Sequence, residues 1–332
     1  MAGRKTNLAL LALLVLAFAT GVASWIVAPG LVRWIVIAHG IVGLGIVALV
    51  PWKSSIARRG LARHRPGRGT AIAFAVLIAT SIVAAIVHVT GVVRSVGPFS
   101  PLGIHVATAV AAIALGVVHV VQRPVHPRAT DISRRNVLRS GAVLGAGAAG
   151  WLALEGVLHA TGARGASRRA TGSFEMGSAV PADMPVTQWF NDRVQEVDAS
   201  SWRLQVLGGS RTYSVEELSS FGDVLPATLD CTGGWYAEQV WRGVRLDRLL
   251  DPADGQSIVV RSITGYSRRF SRSDAPGLIV ATHIGDAPLS AGHGAPARLV
   301  APGRRGYWWV KWLTAIDVDD GPWWWQPPFP LT

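Results

Sequence analysis

Residues Ile284 to Val318 read IGDAPLSAGHGAPARLVAPGRRGYWWVKWLTAIDV. Two strand-like runs, Ala297–Val300 and Leu313–Val318, stand in it between glycine, proline and aspartate turns. The same stretch holds Lys311, one of only three lysines with Lys5 and Lys53, in a chain that otherwise uses arginine. A lone lysine in an arginine-preferring domain points to a positional role rather than to a solvated surface charge. Further strand-like runs lie at Trp202–Leu207, Ser257–Ser262 and Leu278–Thr282. The segment SVEELSSF, Ser214–Phe221, opens with Ser214 and carries Glu217 three residues later, the pattern of a capped helix. RLDRLLD reads as another short helix. Residues from about 165 onward therefore form a mixed α+β domain, long enough for one core.

Upstream the composition is different. Half of the 332 residues are hydrophobic, and they concentrate in five runs near the ~20 residues that cross a bilayer. These are Leu8–Val27, Leu31–Val50, Ala71–Val93, Leu102–Val121 and Val137–Leu158. Basic residues precede the first run (Arg4, Lys5) and crowd KSSIARRGLARHRPGR and QRPVHPRATDISRRNVLR, the loops after the second and fourth. The alternate loops are short and nearly uncharged. Positive charge marks the cytoplasmic side, so the expected topology is a multi-pass cell-membrane protein with a cytoplasmic N-terminus and an extracytoplasmic C-terminal domain. The formal charge of +12 is thus topological, and no nucleic-acid partner is expected. The expected organisation is a four-helix transmembrane domain over 1–128, a signal-anchor helix and linker over 129–164, and the outer domain over 165–332.

The signal-anchor reading comes from SRRNVLRSGAVLGAGAAG. Ser133-Arg134-Arg135 ahead of a weakly hydrophobic Gly/Ala stretch resembles a twin-arginine export signal, with Val137 where an aromatic is usual. That route carries folded proteins, which implies a cofactor inserted before export. An ordinary positive-inside flank is the other reading. LGAGAAG within this span is read as helix packing, not as a nucleotide-binding loop.

The outer domain holds the only cysteine, Cys231, within TLDCTGGWYAEQVWRGVRLDRLLD, Thr228–Asp251. One cysteine forms no internal disulfide. In an oxidising compartment its thiol is either buried or bound to something. Four histidines, His39, His88, His105 and His119, fall inside the apolar runs, where a polar side chain is costly and usually functional. His105 and His119, close to four helical turns apart, share a face. Their spacing resembles membrane cytochromes b, and implies haem b. An outer haem has His39, His88 and His105 as possible ligands. An inner one has His119, with only the loop residues His64 and His126 as partners, so one haem is better supported than two. Histidines hydrogen-bonded within a bundle are the alternative.

ATLDCTGGWYAEQVWRGVRLDRLL, ITGYSRRFSRSDA and the opening stretch resemble successive motifs of the sulfite oxidase family of molybdopterin-dependent oxidoreductases. In the last, His293-Gly294, Pro296, Arg298, Pro302-Gly303, Gly306 and Val310-Lys311-Trp312 follow in family order. The resemblance implies Mo-molybdopterin as cofactor, with Cys231 as the molybdenum ligand, a soft thiolate suited to a transition metal. It implies that His293, Arg298 and Lys311 hold the pterin and its phosphate, with Asn191 and Thr264 as further contacts. Tyr266, flanked by Arg268 and Arg269, is the candidate for the substrate side. After the cysteine the chain reads Thr232-Gly233-Gly234-Trp235-Tyr236, where true sulfite oxidases carry an asparagine and arginines, so a more apolar entrance is expected. An immunoglobulin-like dimerisation domain of the sulfite oxidase kind is not expected in this sequence. The family's monomeric branch, which reduces oxidised methionine in exported proteins, is nearer in architecture.

These readings converge on a membrane-bound molybdenum oxidoreductase. It would carry out oxo-transfer on a small-molecule or oxidised-side-chain substrate and exchange electrons with membrane quinone or a redox protein, through haem. The alternative is a membrane-anchored, tryptophan-rich binding module, suggested by GYWWVKW and GPWWWQPPFP. Molybdenum content separates the two.

Overall fold

A computed structural model describes residues 3–27, 29–62, 67–131, 133–189, 192–251 and 253–329. The chain divides into two compact units, Met1–Gly172 and Ser173–Thr332.

The first unit is helical: α1 (Gly3–Ile26), α2 (Pro29–Ala48), α3 (Val50–Leu61), α4 (Arg68–Thr90), α5 (Pro101–Gln122) and α6 (Arg134–Ala160). Among the described residues, five of these helices, all but α3, are long and apolar enough to cross a membrane. The turn residues explain the boundaries. Ser100 caps α5, accepting from the Gly103 N–H with Pro101 in the first turn. Gly91 closes α4 at φ 67°, its N–H reaching the carbonyls of Val87 and His88. The first basic loop differs from expectation: most of it is the helix α3, with Arg58 and Arg59 in the last turn where they complement the helix dipole.

Close packing pairs α1 with α2, α2 with α6, and α4 with α5. A small core of Leu13, Val42, Ile46 and Leu49 sits between α1 and α2. At one end Arg4 bonds to Asp131 and donates to the His126 carbonyl (3.0 Å), and Lys5 donates to Asn136 (3.2 Å). Lys53 donates to Asn7 (2.9 Å). The starts of α1, α3 and α6 are therefore tied together by the basic residues that flank the apolar runs.

In the second unit, β4 (Asp223–Asp230) and β5 (Trp235–Arg245) form a hairpin, and β5 continues against β8 (Ile279–Ile284). With β1 (Phe174–Glu175), β9 (Ala287–Pro288) and β10 (Arg298–Val300) they make a six-stranded sheet. A second sheet has the order β3-β2-β11-β6-β7, from β2 (Leu204–Val206), β3 (Arg211–Tyr213), β6 (Ser257–Ser262), β7 (Ser267–Ser271) and β11 (Leu313–Asp319). Two short helices, α7 (Val215–Ser220) and α8 (Leu246–Leu250), complete the unit. The Ser214–Glu217 capping box is formed in both directions. One core spans both sheets, with Leu204, Trp241, Leu246, Ile258 and Phe270 fully buried.

The strand reading of the sequence lacked β5, the longest strand. Its alternation is intact, with Trp235, Ala237, Gln239 and Trp241 inward and Glu238, Val240 and Arg242 outward. Gln239 breaks the apolar signal; it is tolerated in the interior because its amide donates to the Gly177 carbonyl at 2.6 Å.

Candidate active site of the second unit

The β4–β5 hairpin turns through Cys231-Thr232-Gly233-Gly234, so the cysteine leaves β4 at the end of a paired strand. There Cys231 opens into a cleft. Tyr266 from the β6–β7 turn, His293, Arg298 at the start of β10, and Lys311 line the same cleft. Trp189 and Asp192 border it; Asn191 between them lies outside the described residues. Thr264 bonds to Ser262 (3.2 Å) and to the Asp192 carboxylate, both at the cleft. A separate open depression lined by Leu207, Arg261 and Asp317 contains none of the expected residues.

Burial pushes the Cys231 thiol up, opposed by the Gly233 N–H on its sulfur (3.3 Å), the Arg305 charge and the Thr187 hydroxyl. The Thr187 hydroxyl also accepts from the Trp235 indole at 3.0 Å. Behind the cysteine, Arg305 donates to Asp230 (2.6 Å) and to the Cys231 carbonyl (3.2 Å). Thr187, Asp230 and Arg305 were not foreseen. The GRRG sequence holds Arg305 but gives no sign of which arginine turns inward.

Arg298 is 1% exposed, with its guanidinium over the rings of Trp241 and Trp309. It donates to the carbonyls of His293 (3.1 Å) and Trp309 (3.4 Å), and its Nε is buried without a partner. Burial lowers it to about 9, so it stays charged at neutral pH. Lys311 donates to the carbonyls of Thr187 (2.9 Å) and Gly292 (2.6 Å), and burial followed by the Arg298 charge lowers it to about 7. His293 is held to about 4, first by burial and then by Arg298 and Lys311. Its Nε2 lies 3.1 Å from the Met184 carbonyl and must donate there, so Nδ1 accepts from Ser290 (2.9 Å). Gly294, at φ 105°, lets the stems of Arg298 and Lys311 close around it: a Cβ there would lie 3.0–3.1 Å from both. Trp312, beside Lys311, holds φ 50°, a strained value for a bulky residue.

Two expectations need correction. Arg268 and Arg269 are not at the cleft. Arg268 stacks 4.2 Å over Trp308 and donates to the Pro327 carbonyl, while Arg269 pairs with Asp319; as neighbours on β7 they project to opposite faces, and each finds its partners away from the cleft. The Tyr266 hydroxyl lines the cleft but donates to the Tyr307 carbonyl, and burial raises its pKa, so its free capacity is that of an acceptor. Of the two aromatics expected at the entrance, Trp235 lines the cleft and Tyr236 does not. Trp308, Trp309 and Trp312 are buried, which removes GYWWVKW as a binding surface; Trp324 and Trp325 remain exposed at 62% and 75%.

The donor set is a soft thiol, two buried cations that no carboxylate contacts among the described residues, and one orphaned guanidinium N–H. Asp192 at the cleft border opposes part of the Lys311 charge, and the positive charge that remains beside a thiol fits an anionic ligand that also offers a thiophilic metal. Residues 191–324 match the family of oxidoreductase molybdopterin-binding domains. The chain carries such a domain. The residues of this molybdopterin-binding domain that line the cleft fit that cofactor: the cations suit its phosphate, the thiol its metal. Among solved structures, the sulfane dehydrogenase SoxCD from Paracoccus pantotrophus is similar, with 24% identity over 39% of this chain and a TM-score of 0.36. The matched part spans 40% of that chain. No curated protein matches.

In the helical unit, His39 and His105 have adjacent rings, His88 donates to the Gly172 carbonyl (3.0 Å), and His119 stacks on Phe74. None of them lies within the matched residues.

Proposed function

We propose that the protein is a membrane-bound molybdopterin-dependent oxidoreductase whose catalytic domain faces away from the cytoplasm. The observation that carries this reading is the cleft itself, where the lone cysteine meets Arg298 and Lys311 within the matched domain. When bound, the cofactor supplies two-electron oxygen-atom transfer: a substrate XO takes two electrons and two protons to give X and water, or the reverse. Cys231 would be the protein's ligand to molybdenum. Arg298 and Lys311 would neutralise the cofactor's phosphate, and an anion beside Lys311 would raise its pKa and keep it protonated. His293, neutral and bonded through both nitrogens, would set the position of the Met184–Thr187 loop that shapes the cleft wall. Asn191 and Thr264 are proposed as further contacts, and Tyr266 as an acceptor toward the substrate.

The five apolar helices would cross the membrane with Arg4, Lys53 and the Arg134-Arg135 pair on the cytoplasmic side. Supporting this is the common end at which the starts of α1, α3 and α6 meet. Arg134 and Arg135 are exposed at the start of α6, accessible as a twin-arginine export signal requires. The substrate would be a small molecule or an oxidised side chain, with electrons exchanged with a membrane quinone or a redox protein by way of haem b.

Molybdenum measured by mass spectrometry on the detergent-purified chain tests the reading. About one molybdenum per chain is expected, falling to background in Cys231→Ser, where a hard hydroxyl replaces the soft thiolate. A wild-type protein without molybdenum, made where molybdopterin is synthesised, would favour instead the binding module displaying Trp324 and Trp325.

A further inference from the structure

His39 on α2 and His105 on α5 lie with ring centroids 5.8 Å apart and planes at 76°. Each Nδ1 is 2.9 Å from a backbone carbonyl, that of Ala17 for His39 and of Ser81 for His105. A carbonyl only accepts, so each Nδ1 carries the proton and each Nε2 presents a lone pair. Among the described residues neither Nε2 has a hydrogen-bond partner. This is the state of a metal-ligating histidine, one nitrogen donating to a carbonyl and the other free to bind.

The spacing agrees. A metal–imidazole bond is about 2 Å, so two imidazoles on opposite sides of one metal have centroids about 6 Å apart. The remaining ligands must come with the metal, because among the described residues no group of three or more His, Cys, Asp or Glu is placed to hold an ion. A metal with two axial imidazoles and its other positions already filled is a haem iron. The two histidines also belong to different helix pairs, α1–α2 and α4–α5, and among the described residues no comparably close packing joins those pairs.

We propose that His39 and His105 are the axial ligands of a single haem b, with the Ala17 and Ser81 carbonyls orienting them. The proposal rests on the membrane-redox reading above and selects one pair from its four histidines. His88 is excluded as a ligand through Nε2, which donates to Gly172, and His119 lies against Phe74 instead of a second imidazole. Iron bound on both faces has no open position, so the site would carry single electrons, Fe(III) to Fe(II) and back, without binding substrate or oxygen.

The test uses the intact chain in mild detergent, with haem per chain from a pyridine haemochrome assay, a reduced-minus-oxidised spectrum and low-temperature EPR. One haem b per chain is expected, with the highly anisotropic low-spin signal of ligand planes near perpendicular. His39→Gly and His105→Gly should each lose the low-spin spectrum, and imidazole in the buffer should restore it, which a misfolded variant would not allow. His88→Ala and His119→Ala should keep it. Haem that survives both glycine variants, or that is lost in His88→Ala, overturns the pairing. Molybdenum without haem in the wild type also overturns it and leaves the outer-domain reading intact; haem without molybdenum does the opposite.

Discussion

Among the described residues no carboxylate contacts the buried Arg298, which makes cofactor binding and apo stability pull in opposite directions. Arg298→Met keeps most of the volume between Trp241 and Trp309 and removes a desolvated charge. The cofactor-free variant should melt within about 1 kcal/mol of wild type or higher, while molybdenum per chain falls several-fold. Thermal melts and metal analysis on the same samples check both signs. His293 gives a pH signature. The unfolded chain takes up a proton near 6.5 that the folded chain refuses until about 4. Stability is therefore whole above pH 6.5 and drains as the pH falls toward 4, by up to about 1.4 kcal/mol per unit. His293→Gln should flatten the melting temperature across that window; an unchanged slope would mean that other groups carry it.

At the level of elements, the helical unit depends on one close approach. Gly147 of α6 lies so near α2 that a Cβ would stand 2.3 Å from the Ile41 carbonyl. The small-residue run LGAGAAG thus serves helix packing, as its place in an apolar helix suggested. Gly147→Val must push α6 off α2, at about 1–3 kcal/mol, and should lower the melting point of the helical unit in detergent while leaving cleft residues untouched. In the other unit the β4–β5 hairpin is the element that matters. It brings Cys231 to the cleft through full pairing from Asp223↔Gly243 to Asp230↔Tyr236, and the buried Asp230–Arg305 pair fastens the turn from behind.

For the whole molecule, each unit has a core of its own, one around Leu13, Val42, Ile46 and Leu49 and the other across both sheets. Residues 173–332 expressed alone should fold cooperatively, with the near-ultraviolet dichroism of packed tryptophans, and should retain molybdenum when made with the cofactor. A fragment that is molten would show that the outer core needs the helices.

Length, composition and local order were enough for much of this. Apolar runs of bilayer length, basic residues in alternate loops, the Ser214–Glu217 capping box and the motif around Lys311 are each written in contiguous residues, because helix length, capping and turn chemistry are local. Five named residues, Cys231, Tyr266, His293, Arg298 and Lys311, meet at one cleft. What remained hidden depends on partners far along the chain. Arg298 and Arg305 are buried at the site while Arg268 and Arg269 are drawn away by the C-terminal segment, and no arginine's own neighbours reveal this. Gln239 masks a central strand until Gly177 satisfies its amide. Four histidines look alike along the helices, and only the folded chain, which brings the His39 and His105 rings to 5.8 Å with carbonyls of α1 and α4 fixing the tautomers, separates a pair from the rest. Burial and pairing are properties of non-local contacts, so they are decided by the folded chain.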